Sequence, residues 1–276
     1  MIKLNFSEPN DSDWLQWKNN CRAEADKLIQ SYQIGHPIKI TSLYSDQKDK
    51  FYGNPFYGKC AYCESNVEEN SPTYVEHFRP KSGVRDINNN IIFILQDNTE
   101  IPHPGYYWLA YSWKNLLPTC WKCNTWHKDR GTGKMVGKGM RFPVANKHAE
   151  TPDEEISELP ELINPMWEDP KNHIHVDHLG IIHSESNSTR GETTIEIFGL
   201  NHREALVNGR KKQYENIQRK VKALLVLDDA NVIKSELDDL KLIAKGNERF
   251  TIATKKAIAD VLSSNQSISN LISTIL

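Results

Sequence analysis

Four cysteines fall in two pairs, Cys60-x-x-Cys63 and Cys120-x-x-Cys123. A two-residue gap lets both sulfurs of a pair turn onto one ion, and two such pairs make a closed tetrahedral four-cysteine zinc site. The zinc would clamp residue 60 to residue 123 and hold the 56 residues between the pairs, a long stretch for a plain zinc ribbon. Inside that stretch stand Glu76 and His77, a carboxylate and an imidazole side by side, and the second pair runs directly into Asn124. A neutral imidazole titrates near pH 7 and can take a proton from water, so the segment between the cysteines reads as an active site. The charge around it is uneven. Residues 114–141 carry seven Lys/Arg against one acid, Asp129, whereas residues 150–161 carry six acids and no base. A basic run beside a metal site favours contact with phosphate over a merely solvated face.

These groups need elements to place them. Residues 12–31 read as an amphipathic helix, with Ser12 as N-cap and Trp14, Trp17, Cys21, Ala25 and Leu28 at spacings of three and four. Cys21, the odd cysteine, belongs to that apolar face and reads as a core residue. Residues 44–59 should be irregular. Thr73-Tyr74-Val75 begins a short strand. Neighbours on a strand point to opposite faces, so Glu76 and His77 can meet one site only where the strand ends, and Pro80 supplies the end. Ile91–Leu95 should be extended, and Tyr106–Leu117 leads into the second cysteine pair. His127 is expected one turn beyond Asn124 on a helix. Gly131–Gly139 holds four glycines and reads as a mobile loop that could order on docking. Residues 146–162 form an acidic linker, 163–200 look β-rich, with Thr193–Phe198 alternating as a strand, and the chain is helical from Asn201 onward.

The order Glu76-His77, Asn115-Leu116, Cys120-x-x-Cys123-Asn124 resembles the HNH nuclease superfamily. The resemblance implies a ββα-metal core, two strands and a helix around one catalytic divalent metal, braced by a four-cysteine zinc. His77 is then the general base. Glu76 and Asn124 are oxygen ligands for Mg²⁺ or Mn²⁺, with His127 able to replace or join Asn124. Asn115 ties the loop between the strands through side-chain to backbone hydrogen bonds. Arg79, Lys81, Lys122 and Lys128 bind phosphates of the nucleic acid. The family more often carries Asp or His at the position of Glu76, and His at that of Asn124. The expected fold is α+β: a helical N-terminal segment (1–50), a zinc-braced HNH core (51–145), an acidic linker and small β region (146–200), and a helical C-terminal region (201–276).

A narrower likeness covers residues 50–215. Cys60-Ala61-Tyr62-Cys63-Glu64, Val75-Glu76-His77-Phe78-Arg79-Pro80-Lys81, Arg141-Phe142-Pro143-Val144 and Leu162-Ile163-Asn164-Pro165 occur in one order. Together they resemble the HNH subunits of Septu antiphage defence systems, the PtuB-like proteins. That implies a PtuA-like partner, an ATPase of the ABC/SMC type, and in some systems a retron reverse transcriptase with its msDNA. The helices at 202–276 could lay an apolar stripe on such a partner or pack on one another. His173, His175, His178 and His183 lie on an alternating hairpin and read as exposed residues rather than as a second metal site. The totals fit this picture. The chain has 276 residues, 38% hydrophobic and 25% charged, with a net charge of −2. It therefore has ample core and no global pull toward nucleic acid or membrane. No apolar leader or span is visible, so the cytoplasm is the expected compartment, where paired cysteines bind metal rather than form disulfides. A zinc-stabilised adaptor that binds without hydrolysis is the alternative, and a metal-dependent cutting assay separates the two.

Overall fold

The apolar spacing of Trp14, Trp17, Cys21 and Leu28 produces helix α1 (Ser12–Gln33), and all four side chains are buried. Its cap is Asp11, not Ser12: the Asp11 carboxylate accepts the Trp14 N–H at 3.0 Å, satisfying one of the orphan donors of the first turn. The computed structural model describes residues 1–53, 56–67, 74–224, 227 and 229–264. Residues 44–59 are less irregular than expected, because α2 (Lys48–Tyr52) forms within them. Thr73 lies outside the described residues.

Strand β1 (Tyr74–His77) is followed by β2 (Phe93–Gln96) and β3 (Thr99–Pro102), which form a hairpin of their own. Then comes β4 (Leu116–Thr119), which returns antiparallel onto β1 with His77 opposite Leu116 and Tyr74 opposite Thr119. Leu116 and Leu117 are fully buried and seat this hairpin in the core. The helix after β4 is a single turn, α3 (Trp121–Asn124). His127 is therefore not on it. It lies in β5 (His127–Lys128), which pairs with β6 (Met135–Val136). The β1–β4 pair is thus followed by a single helical turn.

The glycine-rich segment is tied by hydrogen bonds at both ends. Asp129 closes its turn by accepting from the N–H and hydroxyl of Thr132. The peptides of Gly137, Lys138 and Gly139 are then bonded to the carbonyls of Ile197, Cys123 and Asn124, each at 2.8 Å. Gly137 has φ +88°, and a side chain there would begin 1.9 Å from the Thr125 carbonyl oxygen, so only glycine lets the strand lie this close.

Residues 146–162 are not a free linker either. Glu158 is buried, accepts the Ala149 N–H and the Tyr106 hydroxyl, and pairs with Arg79. Next, β7 (Ile174–Val176) and β8 (Ile182–Ser184) form the expected hairpin. Thr193–Phe198, expected as a strand, lies in helix α4 (Thr189–Phe198). Its ends explain why. Ser188 caps the start by accepting from Gly191 N, and Gly199 ends it in the left-handed conformation. Thr194, Ile197 and Phe198 bury one helical face.

Helix α5 (Glu204–Leu224) buries Leu206, Tyr214, Ile217, Val221 and Leu224. It packs against α7 (Thr251–Ser264), with α6 (Ala230–Leu242) between them in sequence. The α5 stripe thus packs within the chain, the second of the two expected uses. Residues 265–276 of the expected helical region lie outside the described residues. One continuous apolar core runs from Met1 to Val261. No helix among the described residues is long and apolar enough to cross a membrane.

Candidate active site and metal centre

The reactive atoms of Cys60, Cys63, Cys120 and Cys123 all lie within 4.8 Å of one another. The Cys63 and Cys120 sulfurs are 3.8 Å apart, about the 3.8 Å edge of a tetrahedron whose metal–sulfur bonds are about 2.3 Å. The four cysteines are free thiols close enough to hold one metal ion such as zinc. Local backbone makes this geometry. Cys60 N bonds Ser65 O, and Ala61 N bonds the Pro118 carbonyl at 2.9 Å, fastening the first pair to β4. The second pair is one helical turn, with Cys123 N on Cys120 O. Buried Arg203, from the start of α5, donates to the Cys123 sulfur at 3.2 Å. A cation against thiolates offsets their charge. Sequence reading missed Arg203 because nothing in a helix start marks a sulfur contact 80 residues away.

A cleft of about 320 Å³ opens between β1, the α3 turn and the segment 44–45. Glu76, His77, Lys81 and Asn124 line it, together with Tyr44, Gly139 and Met140. His77 is buried at the end of β1, with its Nε2 2.9 Å from the Ala110 carbonyl oxygen. A carbonyl only accepts, so Nε2 carries the proton and Nδ1 keeps its lone pair. The Tyr44 ring meets the imidazole edge-on at 4.6 Å. Burial, with the nearby Lys81 charge, pushes the His77 pKa down to about 3, so the ring is neutral. Asn115 holds the loop between the strands: its Oδ1 accepts Arg79 N at 2.8 Å, and its Nδ2 donates to Arg79 O at 3.0 Å. That clasp fixes the backbone two residues from His77.

Glu76 is not alone. Lys138, fully buried, places Nζ 2.6 Å from Glu76 Oε1 and donates to the His77 carbonyl at 2.8 Å. Burial pushes the Glu76 carboxyl up and the Lys138 ammonium down, and the attraction between them opposes both shifts. In the sequence Lys138 was one of seven cations in a run. The signal that sets it apart is its place between two glycines, Gly137 and Gly139, both at positive φ. Replacing it should expose the pair's cost. Lys138→Met leaves a buried carboxylate without its cation and should lose about 3–5 kcal/mol, read from equilibrium denaturation. Adding Glu76→Gln in the same chain should recover part of the loss. A single variant as stable as the parent would show that the pair is not formed.

The other expected site residues separate. Lys81 is in the cleft and donates to the Tyr44 hydroxyl at 3.0 Å. Lys122 and Lys128 are exposed, outside its lining. Arg79 is turned away. Its Nε meets Glu158 at 2.6 Å and its Nη2 donates to Glu155 O, so the buried guanidinium is not offered to phosphate. His127 is also outside the lining, with Nδ1 on Thr125 O at 2.7 Å and its ring 4.8 Å from Trp121. The histidines of the β7–β8 hairpin face carboxylates: His175 with Glu185, His183 with Asp177 and His173 with Glu168. For a divalent ion, Glu76 and Asn124 are two oxygen donors on one cleft. That suffices for a hydrated Mg²⁺ or Mn²⁺ completed by water and phosphate oxygens, although Lys138 occupies one Glu76 oxygen.

Fold and site together define an α+β protein with four cysteines gathered closely enough to hold a metal ion and a neutral histidine in a small polar cleft. The chain is 35% identical to Septu protein PtuB of Bacillus mycoides (strain KBAB4) over 181 residues, which is 65% of this chain and 54% of that protein. It is 27% identical to Septu protein PtuB of Bacillus thuringiensis over 187 residues, 64% of this chain and 53% of that protein. It is also 26% identical over 211 residues to Septu protein PtuA of Bacillus mycoides, covering 74% of this chain and 26% of that protein. The chain thus spans about half the length of the two PtuB proteins and about a quarter of PtuA. No family model matches it. No solved structure matches it.

Proposed function

We propose that this chain is an HNH-type nuclease acting as the hydrolytic subunit of a Septu antiphage defence system, beside a PtuA-like ATPase partner. The observation that carries the nuclease reading is the state of His77. It is neutral, its Nε2–H is spent on the Ala110 carbonyl, and it shares a cleft with Asn124 and Lys81. The Septu reading rests on the similarity to two proteins named PtuB and to part of one named PtuA.

In this reading Nδ1 of His77 takes a proton from the attacking water. Asn115 holds the loop that carries the base, and Lys138 holds both the Glu76 carboxylate and the His77 carbonyl in place. Lys81 meets the phosphate, and Lys122 and Lys128 meet its neighbours along the strand. A divalent ion on Glu76 and Asn124 would stabilise the charge gathered on the phosphate and the leaving oxygen. A zinc ion on the four cysteines would hold the hairpin's far end and take no part in the reaction.

The Lys138–Glu76 pair favours a second reading, a metal-clasped module that binds nucleic acid or protein without cutting. The test is Mg²⁺- or Mn²⁺-dependent cleavage of plasmid, single-stranded DNA and tRNA by the full chain, alone and with the ATPase. Cutting of any of them supports the nuclease. No cutting under any condition leaves the binding module.

A further inference from the structure

Two indoles stand exposed beside the cleft. Trp121 and Trp126 are each 40% accessible, and Met135 and Met140 in the same segment are exposed as well. Trp121 starts the α3 turn that ends in Asn124, a cleft residue. Trp126 is closer still. Its Cβ lies 3.1 Å from where a side chain on Gly139 would begin, and Gly139 is part of the cleft wall. Trp121 and His127 pack ring to ring at 4.8 Å. Large aromatic rings left in water at a polar cleft are costly unless something covers them.

The charge around them narrows what that is. Lys122, Lys128, Arg130 and Lys134 are all exposed. Among the described residues none of the four has a carboxylate within 4.0 Å. The segment's one acid, Asp129, is buried and turned onto Thr132. Unpaired cations interleaved with exposed indoles make a surface for a polyanion that also offers flat apolar faces. In a duplex those faces are stacked on one another, whereas in an unpaired strand they are free to stack on protein aromatics.

We propose that the substrate of this cleft is nucleic acid with unpaired nucleotides, whose bases stack on Trp126 and on the Trp121–His127 pair while Lys122, Lys128, Arg130 and Lys134 follow the backbone. This rests on the nuclease reading for the cleft, and it adds the class of substrate. The β5–β6 ribbon that follows Trp126, fastened through the Gly137 and Gly139 peptides, holds His127 and Lys128 beside the two indoles.

The experiment measures binding rather than cutting. A fluorescent thymidine 20-mer and a blunt duplex of the same length are titrated into the full chain carrying His77→Ala, by anisotropy and by quenching of indole fluorescence. The unpaired strand should bind more tightly than the duplex. Trp126→Ala should weaken the 20-mer by about 5- to 150-fold, the range for loss of one stacked base, and Trp126→Phe should retain most of the affinity. A circular-dichroism melt checks that both variants fold. Equal or tighter duplex binding, no measurable binding of either probe, or an unchanged affinity in Trp126→Ala would overturn the proposal. So would loss of ATPase co-purification, instead of oligonucleotide binding, on Trp126→Ala, since the indole would then belong to a protein interface. Failure of the nuclease reading looks different: binding with the expected Trp126 dependence, and no cleavage by the parent chain under any condition.

Discussion

Cys120→Ser should unfold the region around the cleft and lower the melting temperature of the chain sharply, while metal analysis of the parent should give about one zinc per chain. Structural zinc contributes on the order of 10–16 kcal/mol of apparent binding free energy at neutral pH. A whole domain is stable by only about 5–15 kcal/mol, so the clasp outweighs most of what remains. The structure shows why the loss would spread. Cys60 and Cys63 reach β4 through Ala61 N on Pro118 O, and Cys123 reaches α5 through Arg203. Without an ion, three buried sulfurs and the partly buried Cys120 sulfur would repel or stay desolvated beside a buried guanidinium. Loss of the ion also releases the α3 turn, to which the Lys138 and Gly139 peptides are tied. Metal-free protein with an unchanged melt would sink the assignment. The same connections bear on truncation. A chain ending at residue 200 lacks Arg203 and the α5 face, so it should lose the metal together with any partner, and not the partner first.

What the sequence made legible was local. The two cysteine pairs carry their own geometry in a two-residue gap, so their convergence on one point could be read before any fold was known. The strand ending at His77 and the α1 stripe are likewise short-range patterns. The errors have a common cause, which is that a side chain's partner lies far away in sequence. Arg79 read as a phosphate ligand and residues 146–162 as an acidic linker, yet Arg79 and Glu158 are two ends of one buried pair 79 residues apart. Each looked like a free charge only because the other was out of view. Lys138 was lost in the same way, as one charge in a run, whereas it lies against Glu76, 62 residues away. Thr193–Phe198 is a different failure. Its β-branched alternation suits a strand, but Ser188 and Gly199 cap a helix over the same residues, and tertiary burial of Thr194, Ile197 and Phe198 settles the competition. The helix expected to carry His127 stops after one turn because the chain must turn to pair β5 with β6.

His77→Ala should abolish cleavage while leaving the fold and the cysteine metal in place, with a loss of about 10²–10⁴-fold in rate for a missing general base. The pH profile gives a sharper reading. In the free protein burial and Lys81 hold the His77 pKa down at about 3, well below the usual imidazole value. The sign follows directly. The neutral ring is the active form, so kcat/KM, which reports the free enzyme, should show no fall near pH 6.5 and should hold its acid side far lower. In the complex a phosphodiester anion lies near the ring and favours the imidazolium, so the acid limb of kcat should sit at higher pH than that of kcat/KM. The same depressed pKa makes a stability statement. The unfolded chain protonates His77 below its ordinary pKa and the native chain does not, so folding weakens as pH falls from about 6.5 toward 3. His77→Ala should remove that share of the acid sensitivity, measured as denaturation midpoints at pH 7 and pH 4.5. Retained cleavage by purified His77→Ala would take His77 out of the role of base, and an acid limb of kcat/KM at pH 6–7 in the parent would overturn its depressed pKa. Asn115→Ala offers the contrast. It frees the Arg79 backbone and lets the loop beside the base move, so it should lower kcat and leave both acid limbs where they were.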